Sequence, residues 1–251
     1  MPGTLPLRQY DLVICDIDGC LSPESSDPFD LPSLAKVAEH NRLAIETGDR
    51  PVLTLCSGRP QPFAEAMCRL LANTLVPCIC ENGVWIYHPG DNRYEMDPRI
   101  GKEHLHAVHE ASEWVFSEFG PKGVTEQPGK AASVSLYHPD AEYLRREVAP
   151  AVEKEFKARG WPLKVTMTWF YINCDLECVN KGTALDRMLG EMRVPRERLA
   201  GIGDTVGDKY IAERVKFFAC PGNAQAGIKE HAHYIASGHE AKGVVEILER
   251  L

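Results

Sequence analysis

In VICDIDGCL, residues 13–21, an apolar run ends in two aspartates two positions apart and a glycine follows at once. Together with the preceding residues, DLVICDI (11–17) is nearly continuous in apolar character. That marks a strand covered on both faces, the kind that parallel sheets bury between two layers of helices. If strand geometry persists through residue 18, Asp16 and Asp18 point the same way, with α-carbons roughly 6–7 Å apart. Two carboxylates so placed repel each other, which raises a pKa unless a cation lies nearby or one group stays protonated.

The same rhythm extends outward. PVLTLC (51–56) is a second apolar strand, and Pro60 opens a helical run whose apolar face falls at 63, 67, 70, 71 and 75. LVPCICENG follows as a third strand ending in polar residues. From about residue 84 the pattern changes. VWIYHPGDNRYEM reads as a hairpin around PGDN, then come a helix over roughly 101–119, a Gly/Pro-rich loop GPKGVTEQPGK and a strand ASVSLYH. A helix DAEYLRREVAPAVEKEFKARG, kinked or divided at Pro150, and two strands, LKVTMTW and FYINCDLEC, close this segment. After Lys181 the alternation of helix and strand returns through GTALDRMLGEM, RLAGIG, DKYIAERV, KFFAC and KGVVEILERL. The expected fold is α/β. A Rossmann-like, doubly wound parallel sheet over 1–84 and 180–251 is interrupted by an inserted α+β module over 85–179.

Composition narrows the function classes. The 251 residues carry a net charge of -8 with no basic block, which argues against a nucleic-acid or anionic-membrane partner. MPGTLPLRQYD lacks the apolar segment of a signal peptide and no 18-residue apolar run occurs, so a cytoplasmic location and no membrane partner are expected. The cysteine count is odd, nine, and Cys15, Cys56, Cys78, Cys80 and Cys220 fall in or beside apolar strands, where they behave as small hydrophobes. Cys78/Cys80 and Cys174/Cys178 lack the spacing of a structural zinc site. The histidines of HLHAVH (104–109) and HAH (231–233) read as solvent-facing.

In an open α/β sheet, ligands bind beyond the carboxyl ends of the strands. The polar residues at those places are Asp16 and Asp18, then Ser57, Gly58 and Arg59, then Glu81 and Asn82, and finally Asp204 and Asp208, with Lys181 opening the helix before the last strand. Oxygen donors alone, with room for water and phosphate, suit Mg²⁺. An aspartate beside such an ion remains a competent nucleophile toward phosphorus, because the ion and a lysine quench its repulsion by a phosphate dianion. Ser57 offers a hydroxyl, Gly58 lets backbone N–H groups approach a phosphate, and Lys181 adds positive charge. Arg59 either holds substrate or closes a loop by ion pairing. Glu81 and Asn82 divide between loop structure and substrate contact. Asn223, in CPGNAQ, reads as a structural residue serving its own loop.

DIDG (16–19), SGR (57–59), Lys181 in NKGTAL and GDTVGD (203–208) resemble, in order and spacing, the four motifs of the haloacid dehalogenase superfamily of phosphohydrolases. The middle module resembles the type IIB cap of its Cof-like and sucrose-phosphatase-like branch. The resemblance implies that Asp16 is the nucleophile and Asp18 the acid and base. It implies that Ser57, Gly58 and Lys181 bind phosphate, that Asp16, the Asp18 carbonyl and Asp204 bind Mg²⁺, and that Asp208 stands behind the metal. Arg59 and Asn82 become candidate substrate contacts. Two positions depart from the pattern. Cys20 replaces a usual threonine, weakening or removing a hydroxyl hydrogen bond, and Gly207 replaces a usual asparagine, loosening the metal loop.

The expected activity is hydrolysis of a small phosphorylated metabolite, with sugar phosphates first and short phosphorylated acids such as phosphoglycolate also in range. The leaving group is expected to be read from the GPKGVTEQPGKAAS loop and TMTWFYINCD, where Trp169 and Tyr171 either pack a sugar face or join the module's own sheet. A phosphosugar mutase would share the core residues but needs a second phosphate grip, and Arg93, Arg99, Lys102, Lys122, Lys130 and Lys164 form no dense cluster in sequence. A catalytically silent interaction protein would have lost Asp16, Asp18, Lys181 or Asp204, and all four are present. A dinucleotide-binding oxidoreductase would show GxGxxG after the first strand, which is absent.

Overall fold

The structure, a computed structural model, describes residues 8–168 and 170–251; Trp169 lies outside them. Strand β1 (Leu12–Cys15) is buried throughout, and so is β2 (Val52–Leu55). Between them runs α1 (Leu31–Thr47), an element that the apolar periodicity did not disclose. The Asp30 side chain caps it by accepting from the Ser33 N–H, Pro32 sits in its first turn, and Gly48, at φ +66°, ends it. Helix α2 (Gln61–Leu70) buries Ala64, Met67 and Cys68. Leu70 and Leu75 are exposed. The helix stops one turn earlier than its apolar spacing suggested, because Ala72 takes a left-handed turn at φ +53°.

Strands β3 (Cys78–Cys80), β4 (Trp85–His88) and β5 (Arg93–Met96) form a small sheet, with Cys78, Ile79 and Cys80 antiparallel to Tyr87, Ile86 and Trp85. This pairing ties the hairpin to β3, so it belongs with the larger unit rather than with the module that sequence reading began at residue 85. Chain contacts divide the protein into one unit of Met1–Glu95 with Lys181–Leu251 and a second of Met96–Asn180.

In the second unit, α3 (Lys102–Phe119) precedes β6 (Thr125–Glu126) and β7 (Ser133–Tyr137). Helix α4 (Ala141–Tyr143) passes through a π-helical turn at Leu144–Val148 into α5 (Ala149–Arg159). The interruption expected at Pro150 is this π-helical turn, which ends two residues before the proline in the first turn of α5. Strands β8 (Leu163–Met167) and β9 (Tyr171–Leu176) complete a sheet of order β6-β7-β9-β8. Tyr171 packs on Tyr137 within that sheet, with ring centroids 5.5 Å apart. His106 and His109 are exposed beside Glu110 and Glu113, but the His104 Nδ1 accepts from the Gly101 N–H at the start of α3.

The chain re-enters the larger unit with α6 (Lys181–Met192), β10 (Leu199–Ile202), α7 (Lys209–Ala212), β11 (Phe217–Cys220), α8 (Ala226–Lys229), β12 (Tyr234–Ile235) and α9 (Glu240–Leu248). The main sheet is parallel throughout, in the order β12-β11-β10-β1-β2. Val13 and Cys15 join a core with Leu34, Val37, Val244 and Ile247, while Leu12 and Ile14 join one with Leu185, Met188, Ile211 and Phe218. Helices therefore cover both faces, as the unbroken apolar strands required. Eight of the nine cysteines are buried and all nine are free thiols. Among the described residues no helix is long and apolar enough to cross a membrane.

Candidate active site

Because β1 and β10 are neighbours in register, with Cys15 opposite Ile202, the residues that follow them emerge side by side. The Asp16 N–H still donates to the Ile202 carbonyl at 3.1 Å, so Asp16 is the last residue held by the ladder. The strand does not continue to Asp18. The Ile17 carbonyl accepts from the N–H groups of Cys20, Leu21 and Ser22, and Gly19 turns at φ +73°. Asp18 accordingly leaves the strand on a turn rather than in strand phase with Asp16. Its carboxylate is gripped by the Arg59 guanidinium, with Nη2–Oδ1 at 2.6 Å and Nε–Oδ2 at 2.8 Å. Arg59 in turn lies over the Phe63 ring, 4.8 Å from its centroid.

Asp16, Asp204 and Asp208 converge instead, with carboxylate oxygens within 4.8 Å of one another, and all three are buried. Lys181, buried at the first turn of α6, places its Nζ 3.0 Å from Asp16 Oδ2 and 2.7 Å from Asp208 Oδ1. The remaining Asp208 oxygen accepts from the N–H groups of Asp204 and Thr205, both at 3.0 Å, and from the Thr205 hydroxyl. Both oxygens of Asp208 are thus committed, one to Lys181 and the other to the GDTVGD turn. Gly203 permits that turn, because a Cβ there would stand 2.3 Å from the Asp208 Cβ. Gly207 imposes no such demand: an added Cβ would meet only Thr205 Oγ1, at 3.4 Å.

Asp204 lies across the bare α-carbon of Gly19, where a Cβ would come within 2.0 Å of its Oδ2. The Cys20 thiol is 3.8 Å from Asp204 Oδ1, a longer contact than a hydroxyl makes. Asp16 Oδ1 accepts from the Ile17 N–H at 2.8 Å.

Burial and carboxylate crowding leave a charge deficit. Asp16 is pushed up to about 8, chiefly by burial and then by Asp208, with Lys181 pulling the other way. Asp204 is pushed up to about 9, by burial and then by Asp208, Asp16 and Glu24. Burial works against the charge on Lys181, yet Asp16 and Asp208 outweigh it and hold the ammonium protonated well above the ordinary lysine range. One lysine does not offset three carboxylates. With Asp208 committed, Asp16 and Asp204 are the hard oxygen donors left, and their raised pKa values mark the place where a divalent cation fits.

Ser57, fully buried after β2, accepts the Arg59 N–H on its Oγ at 3.2 Å, which leaves its hydroxyl hydrogen to donate. Asn82 lies over Gly58, its Oδ1 3.0 Å from where a Cβ would project, and Glu81 and Asn82 both adopt φ +51°. Sequence reading missed Glu24, pushed up to about 7 by burial and by Asp18. No motif flags it, since it sits in the loop beyond DIDGC. Asn223 donates from Nδ2 to the Gly19 carbonyl.

A family model described as haloacid dehalogenase-like hydrolase matches residues 124–248. A phosphoglycolate phosphatase of Methanothrix thermoacetophila is 30% identical over 101 residues, 40% of this chain and 46% of its own length. The chain thus spans about half the length of the curated relatives it matches. A haloacid dehalogenase-like hydrolase of Bacteroides thetaiotaomicron superposes with a TM-score of 0.70 at 20% identity, covering 96% of this chain and 99% of that one. The sucrose-phosphatase of Synechocystis superposes with a TM-score of 0.67 at 18% identity, covering 97% and 98%. The fold is that of haloacid dehalogenase-like hydrolases, and Asp16, Asp204 and Asp208 gather beyond the ends of its parallel strands. In fold, with its inserted second domain, the chain resembles the Cof-like and sucrose-phosphatase-like structures.

Proposed function

We propose that the chain is a magnesium-dependent phosphomonoester hydrolase that works through an aspartyl-phosphate on Asp16. The observation that carries this reading is the buried group of Asp16, Asp204, Asp208 and Lys181 at the ends of β1 and β10. Asp16 and Asp204 would hold the ion, together with the Asp18 carbonyl, and Asp208 would steady the turn behind them. Bound Mg²⁺ would draw charge off the phosphoryl oxygens.

A carboxylate oxygen of Asp16 attacks phosphorus while the bond to the leaving alcohol breaks, and Asp18 delivers a proton to the departing oxygen. Asp18 then takes a proton from a water that attacks the same phosphorus, releasing inorganic phosphate and restoring Asp16. Lys181 keeps Asp16 oriented, and Lys181, Ser57 and the backbone at Gly58 hold phosphoryl oxygens. Arg59 grips and orients the Asp18 carboxyl group, while Asn82 stands over the phosphate-binding turn as a candidate substrate contact. The second unit, Met96–Asn180, is proposed as the cap and the protein as cytoplasmic.

The proposed substrate is a small phosphorylated metabolite. Sugar phosphates are favoured by the likeness to sucrose-phosphatase. The name carried by the curated relatives adds phosphoglycolate to the same screen. The test is phosphate release from a panel of phosphorylated sugars and short acids, with and without Mg²⁺. Asp16→Asn should abolish turnover and leave the fold intact; turnover at the wild-type rate in that variant would refute the mechanism.

A further inference from the structure

The turn between β11 and α8 touches both halves of the cluster. Asn223 Nδ2 donates to the Gly19 carbonyl at 2.8 Å, and the Gln225 N–H donates to the Asp204 carbonyl at 2.8 Å. The turn is itself anchored, since the Gly222 N–H donates to the Gly238 carbonyl at 2.8 Å and Asn223 Oδ1 accepts the Glu240 N–H at 2.7 Å, where Glu240 opens α9 at φ +50°. Gly19 is the surface on which the Asp204 carboxylate rests, close enough that no Cβ fits between them. A small shift of Gly19 therefore displaces Asp204 relative to Asp16.

Resting on the metal-dependent reading above, we propose that Asn223 is a positioning residue for the cation site, clamping Gly19 beneath Asp204 from a turn that also holds the Asp204 backbone. The side chain has two separable duties. Its Oδ1 serves α9 through Glu240, and its Nδ2 serves the site through Gly19. Asn223→Asp keeps an acceptor for Glu240 but loses the donor to Gly19, whereas Asn223→Ala loses both.

The test is Mn²⁺ binding to the substrate-free full chain, followed by the electron paramagnetic resonance signal of free Mn²⁺, alongside thermal melting of the same samples without metal. Both variants should bind Mn²⁺ about three- to tenfold more weakly, the worth of one hydrogen bond. Only Asn223→Ala should also melt lower. Wild-type Mn²⁺ affinity in Asn223→Asp overturns the clamp and leaves Asn223 as an anchor of α9, whatever the melting point does. A wild-type chain that takes up no Mn²⁺ would sink the metal-dependent reading itself. One that binds Mn²⁺ in an Asn223-dependent way yet hydrolyses no phosphomonoester would sink only the proposed activity.

Discussion

Loading the cation should expel protons, and the number follows from the site. In the metal-free protein burial and the crowding of carboxylates push Asp16 up to about 8 and Asp204 up to about 9. At pH 7 the first is therefore about nine-tenths protonated and the second almost wholly so, and an ion that binds both carboxylates displaces about two protons. At pH 9, where more of both carboxyls is already ionised, fewer protons are displaced than at pH 7. Titration calorimetry of the metal-free chain with MgCl₂, repeated in buffers of different ionisation enthalpy, reads the count from the slope. Asp204→Asn should lower it by about one at pH 7.

The same shifts fix the sign of the stability change. Both carboxyls titrate higher in the folded chain than the ordinary value of 3.8, so their neutral form contributes stability that is fully present below about pH 4. That contribution is lost as the pH rises through about 8 and about 9. The metal-free protein should melt lower at pH 9 than at pH 6, and Mg²⁺ should raise the midpoint more at pH 9. Saturable Mg²⁺ binding with no proton release at pH 7 would refute the assignment of Asp16 and Asp204 as a buried, proton-laden pair.

Lys181→Met leaves buried Asp208 without its ammonium partner, and should cost about 3–5 kcal/mol in urea unfolding at neutral pH without metal. An unchanged unfolding midpoint would mean that the ion pairs contribute nothing. Gly19→Ala places a methyl group on Asp204 Oδ2 and forces alanine into φ +73°, so it should lose about 1–3 kcal/mol of stability and bind Mn²⁺ more weakly. Arg59→Lys keeps the charge but not the fork on Asp18, and should lower kcat about tenfold while leaving Mn²⁺ affinity as in the wild type, as rapid-quench and binding assays will show.

How far the sequence could be read depended on whether a signal was local. The parallel strands were legible because burial on both faces writes itself as an unbroken apolar run, and the motif residues were legible because each follows such a run. Helix α1 was hidden by its own core. Position 41 of its buried face is an asparagine, wholly buried, whose Oδ1 accepts from the Leu53 N–H and whose Nδ2 donates to the Leu53 and Leu71 carbonyls. A polar residue satisfied by a strand and a helix end looks, in sequence, like a break in periodicity. The hairpin over 85–96 was legible as a hairpin, but its allegiance was set by pairing with β3, which no local pattern records.

The aspartates divide along the same line. Strand phase put Asp16 where the structure has it, whereas the turn that begins at Ile17 took Asp18 away to Arg59. The repulsion implied by DxD is therefore real but is not the largest: Asp208, nearly two hundred residues away in the chain, raises Asp16 more than Asp18 does, and Asp204 joins the same crowd. Asn223 shows the limit most plainly. Its fit to its own loop was readable from CPGNAQ, while its bond to Gly19 spans 204 positions and exists only because β11 and β1 flank β10 in one sheet. Motifs name the groups that do chemistry. The groups that hold them in register come from sheet order, and a substitution such as Asn223→Asp should weaken a site without touching any motif residue.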